Sequence, residues 1–124
     1  LVEDGEKILN MFAGVGPYSI LIAKNRDVKI HSIDINPYAV EYHLVNNLLN
    51  KVTDKIVVYR GDSSEIVLKY IDEEVDRVLM PLPDYAIRYL QYALKAIGKR
   101  GYIHIYLHIK YDKDKEEAFE KASK

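Results

Sequence analysis

The most constraining feature of the sequence is an apolar strand pattern that runs into a glycine turn and a proline. Residues 9–18 read Leu-Asn-Met-Phe-Ala-Gly-Val-Gly-Pro-Tyr. Gly14 and Gly16 can adopt positive φ angles and carry no Cβ atom, so a ligand can lie directly on the backbone. Pro17 suits the first turn of a helix, where its missing N–H is not needed. This order of strand, turn and helix indicates a nucleotide-type site at the carboxyl edge of a parallel sheet.

Short aliphatic segments alternate with helical patterns along the chain. The strand patterns fall at 7–11, 28–33, 55–59, 75–80 and 102–109. The helical patterns fall at 17–24, 37–50, 63–70, 85–97 and 113–123. In the second helix, Val40, Leu44 and Leu48 form one apolar stripe, with Val45 and Leu49 beside it. The alternation predicts an α/β domain that is doubly wound around a mainly parallel sheet.

Length and composition exclude several classes of function. With 124 residues, the chain can form one domain but not two. A net charge of −1 gives no electrostatic case for binding nucleic acid or an anionic membrane through this chain alone. The absence of cysteine excludes disulfides and thiolate metal sites, and it favours a cytoplasmic location. No apolar run approaches the roughly 18 residues of a membrane span.

Polar side chains stand near the carboxyl ends of the first three predicted strands. Asn10 lies in the first strand, Asp34 follows the second, and Asp62 follows the third. In an open α/β sheet these ends converge on one crevice. Asp34 could accept both hydroxyls of a ribose, and Asp62 could accept from the exocyclic amine of adenine. The alternative is that both aspartates only cap helices or close turns, but their joint placement with the glycine turn favours a binding site.

The glycine turn departs from the fingerprint of a dinucleotide site. That fingerprint has a third glycine three residues after the second, where this chain has Ser19. Pro17 also removes an amide near the helix start, where a pyrophosphate would seek hydrogen-bond donors. The turn therefore predicts a ligand without phosphates.

Five segments carry a more specific signal. Residues 10–19 read Asn-Met-Phe-Ala-Gly-Val-Gly-Pro-Tyr-Ser and 34–40 read Asp-Ile-Asn-Pro-Tyr-Ala-Val. Residues 46–52 read Asn-Asn-Leu-Leu-Asn-Lys-Val, 61–62 read Gly-Asp, and 76–83 read Asp-Arg-Val-Leu-Met-Pro-Leu-Pro. In order and spacing they resemble the class I methyltransferase domain of the archaeal and eukaryotic tRNA guanine-N1 methyltransferases, which modify the base next to the anticodon.

The resemblance implies a Rossmann-like fold, truncated at both ends, and one S-adenosyl-L-methionine-binding domain over residues 1–124. It implies that tRNA is the substrate, contacted mainly through parts of the parent protein that this chain lacks. The glycine turn would hold the methionine and sugar portion of the cofactor, Asp34 the ribose, and the Gly61-Asp62 turn the adenine ring, against which Ile35 would pack. The implied cofactor-binding residues are Asn10, Phe12, Ala13, Gly14, Gly16, Asp34, Ile35, Gly61 and Asp62.

Two positions depart from the family pattern. Asn10 stands where the family usually has Asp, whose carboxylate helps to hold the cationic amino group of the cofactor. Asn can still accept a hydrogen bond, but the charge-assisted part of that bond is lost. After the fourth strand the family usually reads Asn-Leu-Pro, with the Asn at the target base. This chain has Pro81, Leu82 and Pro83 at the expected target-base loop.

The catalytic residues are unknown from the sequence, because the general base and catalytic Arg of the family lie upstream of the first strand. Two alternatives to methyl transfer therefore stay open. One is the aminocarboxypropyl transferase of the wybutosine pathway, whose members typically lack the Gly-Pro after the turn and the Leu-Pro after the fourth strand. The other is a degenerate domain that binds the cofactor without catalysis.

The fifth predicted strand carries His104 and His108 on one face, with Tyr102 and Tyr106. Four residues along a strand span about 13 Å, which is too far for one metal ion, so no metal site is predicted. If this strand ends the sheet, its open edge predicts possible self-association.

Overall fold

The computed structural model describes residues 2–71, 74–80 and 83–105. For residues 83–87 and 98–99 it describes the backbone only. Pro81, Leu82, Tyr106, His108 and the predicted helix at 113–123 lie outside the described residues. The strands are β1 (Lys7–Asn10), β2 (Lys29–Asp34), β3 (Ile56–Arg60), β4 (Val75–Met80) and β5 (Ile97–Ile105). The helices are α1 (Pro17–Asn25), α2 (Pro37–Leu49), α3 (Ser63–Tyr70) and α4 (Pro83–Ala96). None of these helices is long and apolar enough to cross a membrane.

The five strands form one parallel sheet in the order β3-β2-β1-β4-β5. This confirms the predicted doubly wound α/β fold. The chain builds the sheet outward from β1 to β3 and then returns to the other side of β1 with β4. Because the winding direction reverses there, a crevice opens beyond the carboxyl ends of β1 and its neighbours.

Alternate residues of β1 pack on opposite faces of the sheet, as the two-residue repeat of a strand requires. Leu9 belongs to a core cluster formed with α3 and α4. Ile8 belongs to a second cluster, which contains Ala23 of α1. Both Ile8 and Leu9 are fully buried. The central strand is therefore covered on both faces, which explains its apolar run.

β5 begins at Ile97, so the predicted helix end at Ile97 and strand start at Tyr102 were wrong. Val75 of β4 pairs with Ile97, whereas Arg77, two residues later, already pairs with Tyr102. This irregular register leaves the first part of β5 without the alternation that identifies a strand. The glycines in that stretch further resembled a helix end.

Four of the five residues in the predicted apolar face of α2 point outward, and Val40 is half-buried. Leu44, Val45, Leu48 and Leu49 are exposed, with Leu49 at 74%. The buried residues of α2 are instead polar, namely His43 and Asn47. Hydrophobic periodicity located the helix but did not identify the face that packs against the rest of the domain.

A buried ion pair joins the amino-terminal end of the sheet. The Arg77 guanidinium donates to both carboxylate oxygens of Glu6, over 2.7 and 3.0 Å. It also donates to His104 Nε2 over 2.9 Å and lies 4.7 Å from the centre of the Tyr102 ring. The hydrogen bond from Arg77 holds the pKa of Glu6 below its ordinary value. The pair links the segment before β1 to β4 and β5.

Replacing Glu6 by glutamine should lower the free energy of unfolding by about 1–2 kcal/mol, because the buried Arg77 loses its counter-ion and a bidentate acceptor. Urea denaturation measures this loss. Glu65→Gln, at an exposed position on α3, is the control and should change the stability by less than about 0.5 kcal/mol. Equal effects of the two substitutions would show that the ion pair contributes nothing.

Candidate functional site

The glycine turn between β1 and α1 is held to the strands on both sides of β1. The Met11 amide donates to the Leu79 carbonyl, and the Ala13 amide donates to the Ile33 carbonyl over 2.8 Å. Gly14 and Gly16 have φ angles of 59° and 91°, in the left-handed region that favours glycine. Pro17 occupies the first turn of α1, as predicted. The turn is therefore a fixed part of the carboxyl edge.

The Asp34 carboxylate joins the end of β2 to this turn. Its Oδ2 accepts from the Gly14 amide over 2.8 Å, and its Oδ1 accepts from the Asn36 amide over 2.9 Å. Each carboxylate oxygen can accept a second hydrogen bond. Asp34 thus positions the backbone and still has two acceptor sites for a ligand.

Asp62 is the N-cap of α3, as the alternative interpretation held. Its Oδ1 accepts from the Ser64 amide over 2.9 Å, and its Oδ2 accepts from the Tyr89 hydroxyl over 2.8 Å. Burial alone would raise the pKa of Asp62, but the hydrogen bonds from Ser64 and Tyr89 outweigh it and lower the pKa. Asp62 is therefore an ionised, oriented carboxylate at the carboxyl edge.

A pocket of about 320 Å³ lies between these two carboxylates. The Phe12 and Tyr89 rings meet edge to face, with their centres 5.2 Å apart. The pocket is lined by Met11, Phe12, Asp34, Ile35, Gly61, Asp62, Ser63 and Tyr89. A small, largely apolar space with a polar group at each side is typical of a site for a small organic ligand or cofactor. Five of the predicted residues line it: Phe12, Asp34, Ile35, Gly61 and Asp62.

The other four predicted residues do not line this pocket. Gly14 adjoins it through its bond to Asp34, and a Cβ atom there would meet no atom of the described part of the chain within 4 Å. Ala13 and Gly16 are buried in the turn. Asn10 is fully buried, and its Nδ2 donates to Ser19 Oγ over 3.0 Å. Its Oδ1 has no hydrogen-bond partner among the residues that the structure describes. A role for Asn10 at the amino group of a ligand stays a prediction.

Sequence reasoning missed Tyr89, Ser63 and Met11 in the pocket wall. Tyr89 lies on α4, which packs against α3, β4 and β5, and its ring contacts Phe12. The Ser63 hydroxyl donates to the Met11 carbonyl and so joins α3 to the end of β1. Only the placement of Ser63 directly after Asp62 could have suggested its position. Among the described residues, no group of three or more His, Asp or Glu side chains could hold a metal ion.

A buried histidine lies beneath the turn. A Cβ atom at Gly16 would lie 2.3 Å from Nδ1 and Cε1 of His43, so only glycine fits there. Burial lowers the pKa of His43, against smaller opposing effects of Asn47 and Asp34. The imidazole is therefore neutral at neutral pH. Sequence reasoning missed it, because the apolar stripe of α2 pointed to a different buried face.

The free energy of unfolding should fall as the pH drops below 6.5, the ordinary pKa of a histidine side chain. Burial lowers the pKa of His43 and of His104, and the charge of Arg77 lowers that of His104 further. As the pH falls, these two histidines therefore bind protons in the unfolded chain while they stay neutral in the folded chain, and this difference favours unfolding. A second loss follows at lower pH, because Glu6 and Asp62 have lowered pKa values and their contribution disappears as they are protonated.

Urea denaturation at about pH 7.5 and about pH 5.5 measures the first of these losses. The His43→Leu variant, which has no imidazole to protonate at this position, should lose less stability between the two pH values. An identical loss in the variant and the parent chain would contradict the assignment to His43.

Comparison with known proteins places these features in one family. A family model described as the TRM5/TYW2 methyltransferase domain matches residues 1–124. The chain is 43% identical over 106 residues to the tRNA (guanine(37)-N(1))-methyltransferase Trm5b of Pyrococcus abyssi, covering 86% of this chain and 30% of that protein. It is 40% identical over 116 residues to the tRNA 4-demethylwyosine(37)-methyltransferase Taw21 of Saccharolobus solfataricus, covering 93% of this chain and 43% of that protein.

Two solved structures have the same fold. The crystal structure of Trm5b from Pyrococcus abyssi matches with a TM-score of 0.81 and 38% identity, over 98% of this chain and 35% of that one. The structure of TYW2 from P. horikoshii in complex with MeSAdo matches with a TM-score of 0.83 and 27% identity, over 98% of this chain and 45% of that one. The chain thus spans less than half the length of each protein that it matches here.

Proposed function

The chain belongs to the TRM5/TYW2 methyltransferase domain family, and we propose that it is the cofactor-binding domain of an enzyme that methylates N1 of the guanine next to the anticodon of tRNA. We propose S-adenosyl-L-methionine as the methyl donor. The pocket between Asp34 and Asp62, beside the glycine turn, is the observation that carries this proposal. Because the chain spans less than half of its relatives, the tRNA substrate and the activity are proposed for a whole protein that contains it.

The residues present fit the adenosine part of this cofactor. The two oxygens of Asp34 each have an acceptor site left, which matches the two adjacent hydroxyls of a ribose. Phe12 and Ile35 offer apolar surface for the adenine ring, and Asp62 offers a carboxylate for its amine. The open space at Gly14 would admit the rest of the ligand along the turn.

When bound, S-adenosylmethionine supplies a methyl group activated by its sulfonium, so that transfer to guanine N1 requires in-line positioning and removal of one proton. Asp34 and the glycine turn would orient the ligand, and the walls formed by Phe12 and Tyr89 would exclude water from its ring. Asp34 and Asp62 hold backbone amides through their carboxylates. We therefore assign both aspartates to positioning of the ligand. We assign proton removal to none of the described residues.

A second candidate is transfer of the aminocarboxypropyl group of the same cofactor. The TM-score of 0.83 with TYW2 in complex with MeSAdo supports it, since MeSAdo is what remains of the cofactor after that group has left. The higher identity to the Trm5b structure, 38% against 27%, favours methyl transfer. The Gly16-Pro17 pair also favours methyl transfer, because the aminocarboxypropyl transferases typically lack it.

A chimera tests the proposal. This chain replaces the corresponding part of Pyrococcus abyssi Trm5b, and the chimera is incubated with a tRNA transcript and with cofactor labelled in either the methyl or the carboxyl carbon. Methyl label on the guanine next to the anticodon is the expected result, and carboxyl label would instead support the aminocarboxypropyl reaction. A transcript with adenine at the target position and the Asp34→Ala chimera are the controls. A folded chimera that binds the cofactor and transfers neither label would favour a degenerate domain.

Self-association stays a separate proposal. In the described part of the sheet, β5 is the last strand of the order and so presents an unpaired edge. Sedimentation over a range of protein concentrations tests it, with a concentration-independent monomer as the contradicting result.

A further inference from the structure

Helix α2 supports the glycine turn through two polar side chains. Asn46 Nδ2 donates to the Val15 carbonyl over 3.2 Å. Next to this bond, the three heavy atoms nearest to a Cβ built on Gly16 all belong to the His43 ring, at 2.3, 2.3 and 2.7 Å. The ring therefore lies directly against the backbone of Gly16, and the position of α2 is coupled to the position of the turn.

The His43 ring contributes shape rather than hydrogen bonds. Its exposure is 0%, and neither ring nitrogen has a hydrogen-bond partner among the described residues. Unpartnered buried nitrogens cost stability, which a leucine at the same place would avoid. What the imidazole does provide is a flat surface that lets the backbone at Gly16 approach closely.

We propose that His43 is a positioning residue. Its ring fixes the distance between α2 and the backbone of the glycine turn, and thereby sets the affinity for the amino-acid portion of the ligand. The proposal rests on the proposed function in one respect, that the turn receives this portion of the cofactor. The path of the effect is short. Gly16 donates its amide to the Ala13 carbonyl, and Gly14 donates its amide to Asp34. Movement of Gly16 would therefore displace the whole turn.

Comparison of two ligands separates positioning from general destabilisation. S-adenosylhomocysteine contains the amino-acid portion, whereas adenosine lacks it. For His43→Ala, calorimetric titration should give a dissociation constant for S-adenosylhomocysteine about fivefold or more above that of the parent chain, with adenosine changed by less than about twofold. Equal weakening of both ligands would overturn the proposal.

Val28→Ala is the matched control. Val28 belongs to the core cluster of Ile8 and Ala23 and is 6% exposed. It is not among the nearest neighbours of a Cβ atom at Gly16. This variant should lose stability, yet the ratio of the two dissociation constants should stay within about twofold of the parent value. A shift of that ratio equal to the shift in His43→Ala would overturn the proposal. If His43→Ala does not fold, His43→Val takes its place in the same comparison.

Amide hydrogen exchange tests the same contact without a ligand. The Gly14 and Gly16 amides, both hydrogen-bonded, should exchange about tenfold or more faster in the His43 variant than in Val28→Ala. Unchanged exchange at these two amides would overturn the positioning role. A parent chain that binds neither ligand would contradict the proposed function instead, and the exchange result would still decide the role of His43.

Discussion

Gly16→Ala should lower the free energy of unfolding by about 2–4 kcal/mol, from left-handed strain and overpacking together. The φ angle of Gly16 is 91°, which an L-residue with a Cβ adopts only at a cost. The new methyl group would also lie 2.3 Å from the buried ring of His43. Because the ring is enclosed, it cannot move aside freely. Urea denaturation of the two chains measures the difference.

Gly5→Ala is the control for the strain alone. Gly5 has a φ angle of 87°, close to that of Gly16, but a Cβ atom there would meet none of the described residues within 4 Å. This variant should lose only about 1–2 kcal/mol. If Gly16→Ala proves no more destabilising than Gly5→Ala, the contact between His43 and the turn does not constrain the fold.

Asp34→Ala should weaken the binding of S-adenosylmethionine about tenfold or more, which corresponds to about 1.4 kcal/mol or more. The variant loses the charged acceptor proposed for the ribose hydroxyls. It also loses the acceptor for the Gly14 and Asn36 amides, so that two of the hydrogen bonds that join the turn and the start of α2 to the end of β2 are lost. Calorimetric titration measures the dissociation constant.

Asp54→Ala serves as the control, since Asp54 is an exposed acidic residue outside the pocket. It has the same effect on net charge and should leave the dissociation constant within about twofold of the parent value. An unchanged dissociation constant in a folded Asp34→Ala chain would refute the role assigned to Asp34.

The fold and one half of the site could be predicted from the sequence because the relevant signals are local. The limits of α3 and β4 agree with the prediction residue for residue. A helix cap at Asp62 marks the start of α3, and the apolar residues Val78, Leu79 and Met80 before a proline mark the end of β4. Asp34 and the glycine turn were expected to meet, and the bond between the Gly14 amide and Asp34 Oδ2 joins them. Topology alone required this, because the carboxyl ends of adjacent parallel strands lie together.

The remaining features depend on packing that the sequence does not display. Tyr89 reaches the pocket through the packing of α4 on α3 and on the sheet. The leucines and valines of α2 predicted a buried face that does not contain His43. Apolar residues of a helix usually face the core, but on α2 they are exposed and His43 is buried. The start of β5 was hidden by an irregular register opposite β4. In each case the sequence gives the residue type but does not show which residues pack against it.

The position of Asp62 shows why one carboxylate could support two interpretations. It caps α3 through Ser64 and accepts from the Tyr89 hydroxyl, so the capping interpretation is confirmed. It also lines the pocket, as the binding interpretation required. A carboxylate with several acceptor sites can do both, and a sequence pattern cannot separate the two.

Calorimetric titration of the 124-residue chain with S-adenosylmethionine and S-adenosylhomocysteine, with NAD as the control ligand, tests the central claim most directly. The pocket beside the glycine turn predicts micromolar dissociation constants for the first two ligands and no measurable binding of NAD. A sample that is folded by circular dichroism and binds neither of the first two ligands would contradict the assignment of this pocket as a cofactor site.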